Sequence, residues 1–480
     1  MDQAGGAVQL IGKRMSTLER DAVKGDARGG PMGTLLQRLI GGPSFRHGVH
    51  PPDAKSLTAA VPVRRMPFPD EVVLPLRQHA GKPAVPLVRR GDVVARADKI
   101  AAAAGYVSVP IHASAAGSVT AIELWPHPDG SMAEAVRIAV DRWSPQIPRW
   151  RTVPDWHGLS HDEVIAAVQG AGVVGLGGAA FPAHVKLAPP PDAPIELLIA
   201  NGVECEPFLT TDHRLMVEHP DRVHFGVRVM MRALGVERAV IGVENNKPDA
   251  IERLIETTPS DLDVTVLGLT VKYPQGAEKM LIKAVTGREV PSGKLPMHVG
   301  VVVQNVGTLS CIGEIFETGF PLIERVVTVT GPGVVRPSNL IVPVGAKLGD
   351  VLEYCGGLRA DVTEILFGGP MMGITQSDLR TPITKGTTGI VVLTEAESSA
   401  RTPQPCIQCG RCLDACPVFL NPSLLGMLAQ AGRYEEMQHA HLADCMLCGS
   451  CAYVCPSSIP LSQMFALSKA ALRRQPPKVA

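Results

Sequence analysis

The chain has 480 residues, with 46 Lys plus Arg against 46 Asp plus Glu, so its formal charge is zero at neutral pH. That length exceeds what one hydrophobic core supports and predicts three or four domains. Balanced charge without a basic block or aromatic-basic interleaving excludes electrostatic capture of nucleic acid or anionic lipid.

The amino terminus lacks the basic start, apolar stretch and cleavage site of a secretory signal. The longest apolar runs, such as VGVVVQNVG after His298, fall short of the roughly 20 residues that cross a bilayer. A reducing cytoplasm without a membrane span is therefore expected. Residues 1–42 are rich in Gly, Met and charge without sustained periodicity and are expected to be a partly disordered extension. Residues 43–142 turn to short alternating strands punctuated by Gly and Pro. Pairing RRGDVVARADKI with SVPIHASAAGSV looks like the barrel-sandwich fold of biotinyl and lipoyl carriers, here without an exposed Lys in the carrier hairpin.

Residues 150–322 read as α/β. Ser160 and Glu163 form a capping box for HDEVIAAVQGAG, IELLIAN is a buried strand, and DRVHFGVRVMMRALG is a helix closed by Gly235. RAVIGVE, PDAIERLIETT and DVTVLGL complete a β-α-β unit. Within this region GVVGLGGAAFPAHVKL places Gly175, Gly177 and Gly178 together, where bare backbone amides can surround a phosphate or support a flat ring. Glycine clusters also build plain turns, so the reading gains weight from IANGVECEP. There Asn201 ends a buried strand and Glu204 and Glu206 follow, and ligands collect at such strand ends. The two glutamates can accept hydrogen bonds from a dinucleotide's ribose or carboxamide, or be solvated loop residues; Asn201 and Lys186 suit a flavin and its phosphate. Two further stretches converge: Glu278 and Lys279 at a helix start in YPQGAEKM, and Gln304, Asn305 and Thr308 after an apolar strand.

Residues 323–395 return to short strands and Gly/Pro turns as a small mixed domain, and TEAESSARTPQP links it onward. Residues 396–470 hold eight of the eleven cysteines in two runs, CIQCGRCLDACP and CMLCGSCAYVCP, leaving 471–480 as a tail. A C-x2-C-x2-C loop offers three thiolates to an iron–sulfur cube, and the cysteine before Pro ligates the other cube in two-cluster ferredoxins. This assigns Cys406, Cys409, Cys412 and Cys455 to one [4Fe–4S] cluster and Cys445, Cys448, Cys451 and Cys416 to the other. Structural zinc is the alternative, but zinc ribbons separate two C-x2-C pairs by a longer insert. The stretch NPSLLGMLAQAGRYEEMQHAHLADC reads as a helix spacing the two loops, with His439 and His441 as surface residues. Cys205, Cys311 and Cys355 are read as small hydrophobes.

The joint order of a barrel-like domain, GLGGAAFP, NGVECEP, YPQGAEK, GKLPMHVGVVVQNVGT, a small β-rich domain and two ferredoxin loops resembles RnfC, the peripheral-subunit family of ion-translocating Rnf electron transport complexes. The α/β part also looks like the flavin- and NADH-binding subunit of respiratory complex I, and the small domain like its SLBB β-grasp module. The resemblance implies FMN near Gly175, Gly177, Gly178, Lys186, Asn201 and Asn305, and NAD(H) near Glu204, Glu206 and Glu278. It also implies a place on the cytoplasmic face of the inner membrane, with the complex's other subunits as partners and ferredoxin or flavodoxin reached through them. The chain departs from the family pattern at Ala180 and Ala183, where relatives often have Gly and Thr, and at Val203, where the complex I protein has an acid.

Since nicotinamide gives two electrons as hydride and a cluster takes one, a flavin is the needed converter. The expectation is electron transfer between NAD(H), FMN and two clusters, coupled in the complex to NAD:ferredoxin oxidoreduction and ion translocation. The alternatives are a cobalamin-reductase-like flavin/iron–sulfur protein, whose barrel domain follows the clusters, and a relay without nucleotide binding.

Overall fold

The computed structural model describes residues 42–148, 156–190, 192–398 and 402–474. The expected extension up to residue 41, the tail from 475 and part of the linker lie outside them.

Local sequence sets the α/β region. Ser160 and Glu163 close the capping box that starts the helix His161–Gly170. Gly235, in the left-handed region, stops Pro220–Leu234. Four apolar runs pair in parallel in the order Val264–Leu269, Ala239–Glu244, Leu197–Gly202, Val301–Asn305. The last strand lies on the opposite side of Leu197–Gly202 from the two that follow it in sequence, so the order reverses there. Asn201 and Asn305 stand opposite each other at that switch point, where open α/β sheets form their ligand crevice.

Asn305 caps the helix Val306–Thr318, accepting from the Gly307 and Thr308 amides. That helix is held at unusually short range. A Cβ on Gly226 would fall 1.8 Å from the Leu309 carbonyl oxygen, and one on Gly313 would fall 2.6 Å from that of Arg222. Only glycine permits the approach, which seats the Asn305 end of the helix against Pro220–Leu234.

The barrel-sandwich region has two antiparallel sheets. One runs Glu71–Pro75, Met132–Val140, Gly117–Pro126, Val93–Val94, and the other Val85–Pro86, Lys99–Ala102, Ile111–His112. Between the last two strands Tyr106 meets His184 of the α/β region edge-on at 5.6 Å, and its carbonyl bonds His184 Nε2 at 2.8 Å.

The small domain has a six-stranded sheet in the order Val63–Arg65, Ser338–Pro343, Glu324–Thr330, Gly389–Thr394, Val362–Phe367, Ile374–Thr375. Its first strand comes from ahead of the barrel and pairs in parallel with Ser338–Pro343. In the cysteine region the stretch expected as one helix is two, Pro422–Gln430 and Tyr434–His439, broken at Gly432 with φ +65°. Leu425, Met437, Leu442 and Phe465 form its core.

Candidate functional site: a nucleotide crevice beside two thiol cavities

The crevice is built from the glycine loop outward. Gly177 and Gly178 are exposed at its rim, and a Cβ on Gly177 would lie 3.4 Å from the Asn305 side chain. Gly178 has φ +107°, and a Cβ there would find only the Thr388 methyl, at 3.9 Å. The loop therefore presents backbone to open space. From below, Thr308 Oγ1 accepts the Leu176 amide (2.8 Å), while buried Arg325 donates to the Leu176 and Thr387 carbonyls. Gly175 closes the loop by donating to the Phe181 carbonyl at 2.7 Å. Ala180, where relatives often have Gly, sits at φ +48° and keeps the left-handed conformation despite its Cβ.

The other expected residues meet around this loop. Lys186 Nζ bonds Glu278 Oε1 at 2.5 Å and the Val303 carbonyl at 3.0 Å. Asn201 Nδ2 donates to the Gly276 carbonyl at 2.9 Å, and Asn305 Nδ2 donates to Asp212 Oδ2 at 2.7 Å. Glu278 opens the helix Glu278–Thr286. Lys279, next to it, is among the charges that act on Lys469 of the helix Leu461–Arg474, whose pKa is lowered chiefly by burial.

The two glutamates part company. Glu204 is buried and accepts from the Asp212 amide (2.9 Å) and the His213 amide (3.4 Å), with Lys55 Nζ 3.9 Å away. Its carboxylate serves the first turn of Thr211–Glu218, which takes it out of the pair expected to face a dinucleotide. Glu206 accepts from the Met371 amide at 3.1 Å through Oε2, while buried Oε1 has no partner. Burial pushes its pKa up to about 7. Val203 packs in the apolar core beside Ile199 and Leu269 rather than offering a polar group. Cys355 is buried and Cys205 and Cys311 are partly so; Cys205 Sγ accepts the Gly276 amide at 3.3 Å.

Sequence reasoning missed Asp212, Lys55, Arg325 and Tyr273. Asp212 carried a signal in TTDHRL, an acid at a helix start soon after NGVECEP. Burial and the neighbouring Glu204 raise its pKa. Lys55 carried none: it comes from ahead of the barrel and reaches the Glu206 carbonyl at 2.9 Å and the Leu209 carbonyl.

The thiols group as the loop pattern requires. One cavity is lined by Cys416, Cys445, Cys448 and Cys451 with Leu420, Leu425 and Phe465. A second is lined by Cys406, Cys409, Cys412 and Cys455 with Ile459 and Leu461. Among the described residues no three His, Cys, Asp or Glu side chains converge closely enough to hold a single metal ion. Zinc would draw four sulfurs to about 2.3 Å from one centre. Thiols arranged around a cavity suit a cube. The inner set is mostly buried, whereas Cys406 and Cys409 of the outer set are exposed.

Family models match the same regions: the RnfC barrel sandwich hybrid domain over 43–143, the Nuo51 FMN-binding domain over 168–314, the SLBB domain over 326–375 and a 4Fe-4S dicluster domain over 403–459. FMN and [4Fe–4S] clusters are thus the cofactors of this chain. The residues present fit them: a bare-backbone crescent with Lys186 at its edge, unpartnered buried atoms at Gln304 Nε2 and Glu206 Oε1, and two four-thiol cavities.

The RnfC-type protein of the proton-translocating ferredoxin:NAD(+) oxidoreductase complex of Clostridium ljungdahlii is 47% identical over 401 residues, 83% of this chain and 87% of that protein. Its counterpart in the Na(+)-translocating complex of Acetobacterium woodii is 42% identical over 404 residues, 84% and 90% of the two chains. The counterpart in the ion-translocating oxidoreductase complex of Rhodobacter capsulatus is 40% identical over 441 residues, 89% and 83%. With its four domains in this order and this identity over most of its length, the chain belongs to the RnfC family of ion-translocating oxidoreductase complexes.

Proposed function

We propose that this chain is the subunit through which its complex exchanges electrons with NAD(H), on the cytoplasmic face of the membrane. Among the described residues no helix is long and apolar enough to cross a bilayer, so the other subunits supply the ion path. FMN, when bound, supplies the exchange between a hydride's electron pair and single electrons, the unit each cluster carries.

The chain's own residues bind and orient. The amides of Gly177 and Gly178 and the ammonium of Lys186 would hold the flavin phosphate, with Asn201 and Asn305 at the switch point beside its polar chain. Glu278 keeps Lys186 charged and aimed until an anion competes for it. Glu206 and Glu278 would meet the dinucleotide, and Glu204 and Lys55 would hold the loop that carries Glu206. Thr308 and Arg325 fix the floor of the loop.

The observation that carries the reading is the placement of the inner thiols. The turn Tyr273–Gly276 touches Asn201 through the Gly276 carbonyl and reaches Cys448 through the Tyr273 hydroxyl. Exchange with the crevice would therefore run through the inner set, Cys416, Cys445, Cys448 and Cys451. The outer set, with exposed Cys406 and Cys409, would serve the partner.

Full-length protein purified anaerobically tests this. NADH is expected to bleach the flavin band first and the cluster band afterwards. Iron-loaded protein that retains no flavin and is not reduced by NADH would leave only the relay.

A further inference from the structure

We propose that His47 and Tyr273 are positioning residues that clamp the inner cluster's ligand loops to the nucleotide domain, so that electron transfer between crevice and cluster depends on them. This rests on the cluster assignment above. The clamp has two jaws on one ligand set. Tyr273 is fully buried and its hydroxyl donates to the Cys448 carbonyl at 2.7 Å. His47 Nδ1 donates to the Cys416 carbonyl at 3.3 Å, and its ring stacks at 4.6 Å on Phe419, three residues beyond that ligand. Cys416 and Cys448 lie in different loops, more than thirty positions apart, yet line the same cavity.

The jaws are joined behind the cavity. Val49 exchanges two backbone hydrogen bonds with Tyr273, at 2.8 and 2.9 Å, making His47 and Tyr273 parts of one bridge. Lys272 Nζ donates to the Phe45 carbonyl at 2.8 Å, and Ser44 Oγ donates to Gln275 Oε1 at 2.9 Å. The segment from Ser44 to Val49 is thus stitched along the whole turn that ends at Gly276, whose carbonyl takes the Asn201 amide. Gly48, with φ +86°, permits the approach: a Cβ there would fall 2.6 Å from the Tyr273 carbonyl oxygen.

Nothing in ordinary packing requires that side chains from two distant parts of the chain both end on carbonyls of cluster ligands. Other contacts crossing to this region land nearby: Ser292 Oγ bonds Asp444 beside Cys445 at 2.6 Å, and a Cβ on Gly449 would fall 2.6 Å from the Met371 carbonyl oxygen. Electron transfer weakens steeply with distance, so a loop that is docked for a smaller fraction of the time passes electrons more slowly.

The experiment uses the full-length, iron-loaded, flavin-bound chain and compares Tyr273→Phe and His47→Phe, which keep the rings and delete the hydrogen bonds, with Ser292→Ala as a contact off the clamp. Stopped-flow mixing with NADH follows flavin and cluster bands separately, and hydrogen exchange follows the backbone amides of the cysteine loops. Each clamp variant is expected to keep its iron and its rate of flavin bleaching. Cluster bleaching should slow about fivefold, the weight of one hydrogen bond, and exchange should quicken at Cys416–Leu420 and Cys445–Ser450 but not at Cys406–Cys412. The electron paramagnetic resonance signal of one cluster should shift while the other stays. Ser292→Ala should change none of these. Cluster bleaching, exchange and spectra that match the parent in both clamp variants overturn the proposal. A parent chain that carries iron but shows no flavin-to-cluster transfer instead overturns the functional reading beneath it.

Discussion

The two cysteine loops are nearly the same sentence written twice, and the fold treats them oppositely. Each has C-x2-C-x2-C-x3-C-P, and each second cysteine is followed by a glycine at φ near +78°: Gly410 at +77° and Gly449 at +79°. Yet Cys448 and Cys451 are buried while Cys406 and Cys409 are exposed. The difference lies in what rests on them. Tyr273, the Met371 carbonyl and His47 close over the inner set, whereas the outer set is tied within its own region by Ser457 donating to the Pro405 carbonyl. Ligand chemistry is local, and rank in an electron path is conferred by neighbours.

The largest test separates the two sets directly. Cys409→Ala and Cys448→Ala should each lose about half the iron, one cube of two. NADH should still reduce the surviving inner cluster in Cys409→Ala, but should reduce the surviving outer cluster at least about 100-fold more slowly in Cys448→Ala, because the step now spans the vacated site. Equal rates in the two variants would break the comparison.

The support beneath the inner set comes next. Glu204→Ala uncaps the helix Thr211–Glu218 and leaves buried Lys55 without its nearest carboxylate. A loss of about 3 kcal/mol is expected in denaturant unfolding, with the inner cluster lost before the outer. Lys186→Ala should weaken FMN binding about tenfold or more, the weight of a charge-assisted hydrogen bond, and leave both clusters in place; flavin and iron counts on the same sample check it.

Smaller effects sharpen the comparison by sparing both sets. Lys385 is fully buried and its ammonium donates to the Pro110 and Gly172 carbonyls, joining barrel, α/β and small domains. Burial lowers its pKa from 10.5 to about 7. Between those values the unfolded chain holds a proton that the folded chain lacks, so this group adds stability as pH rises from about 7 toward 10.5, and that contribution is lost as pH falls through 7. In Lys385→Met the climb should flatten relative to the parent in unfolding measured across that window. Ala180→Gly relieves a left-handed backbone, and a gain of at most about 1 kcal/mol is expected, read as a small rise in melting temperature.

Much of this was legible in the sequence because it rests on short-range rules. The cross-pairing of cysteines follows from loop spacing, and the lining of both cavities agrees with it. Strand patterns placed Asn201 and Asn305 at strand ends, and register put them face to face. What stayed hidden depends on contacts between distant segments. Glu204 and Glu206 look interchangeable in NGVECEP, and only the amides of Asp212 and Met371 tell them apart. Lys55, His47 and Tyr273 sit in no motif, and their partners are fixed by how domains lie together. Arg325 and Lys385 read as ordinary surface charges, and burial among carbonyls is a property of the finished fold.

The strand Val63–Arg65 carries its own implication for biogenesis. It leaves the ribosome early, yet the edge it completes, Ser338–Pro343, is made only after the barrel and the α/β domain have been synthesised. Until then the nascent amino-terminal segment has no template, and the sheet cannot close before the cysteine loops are about to emerge. Iron insertion is thereby timed to follow assembly of the scaffold, and a cell that trims or blocks this early strand should accumulate chains that take up metal poorly although every ligand is present.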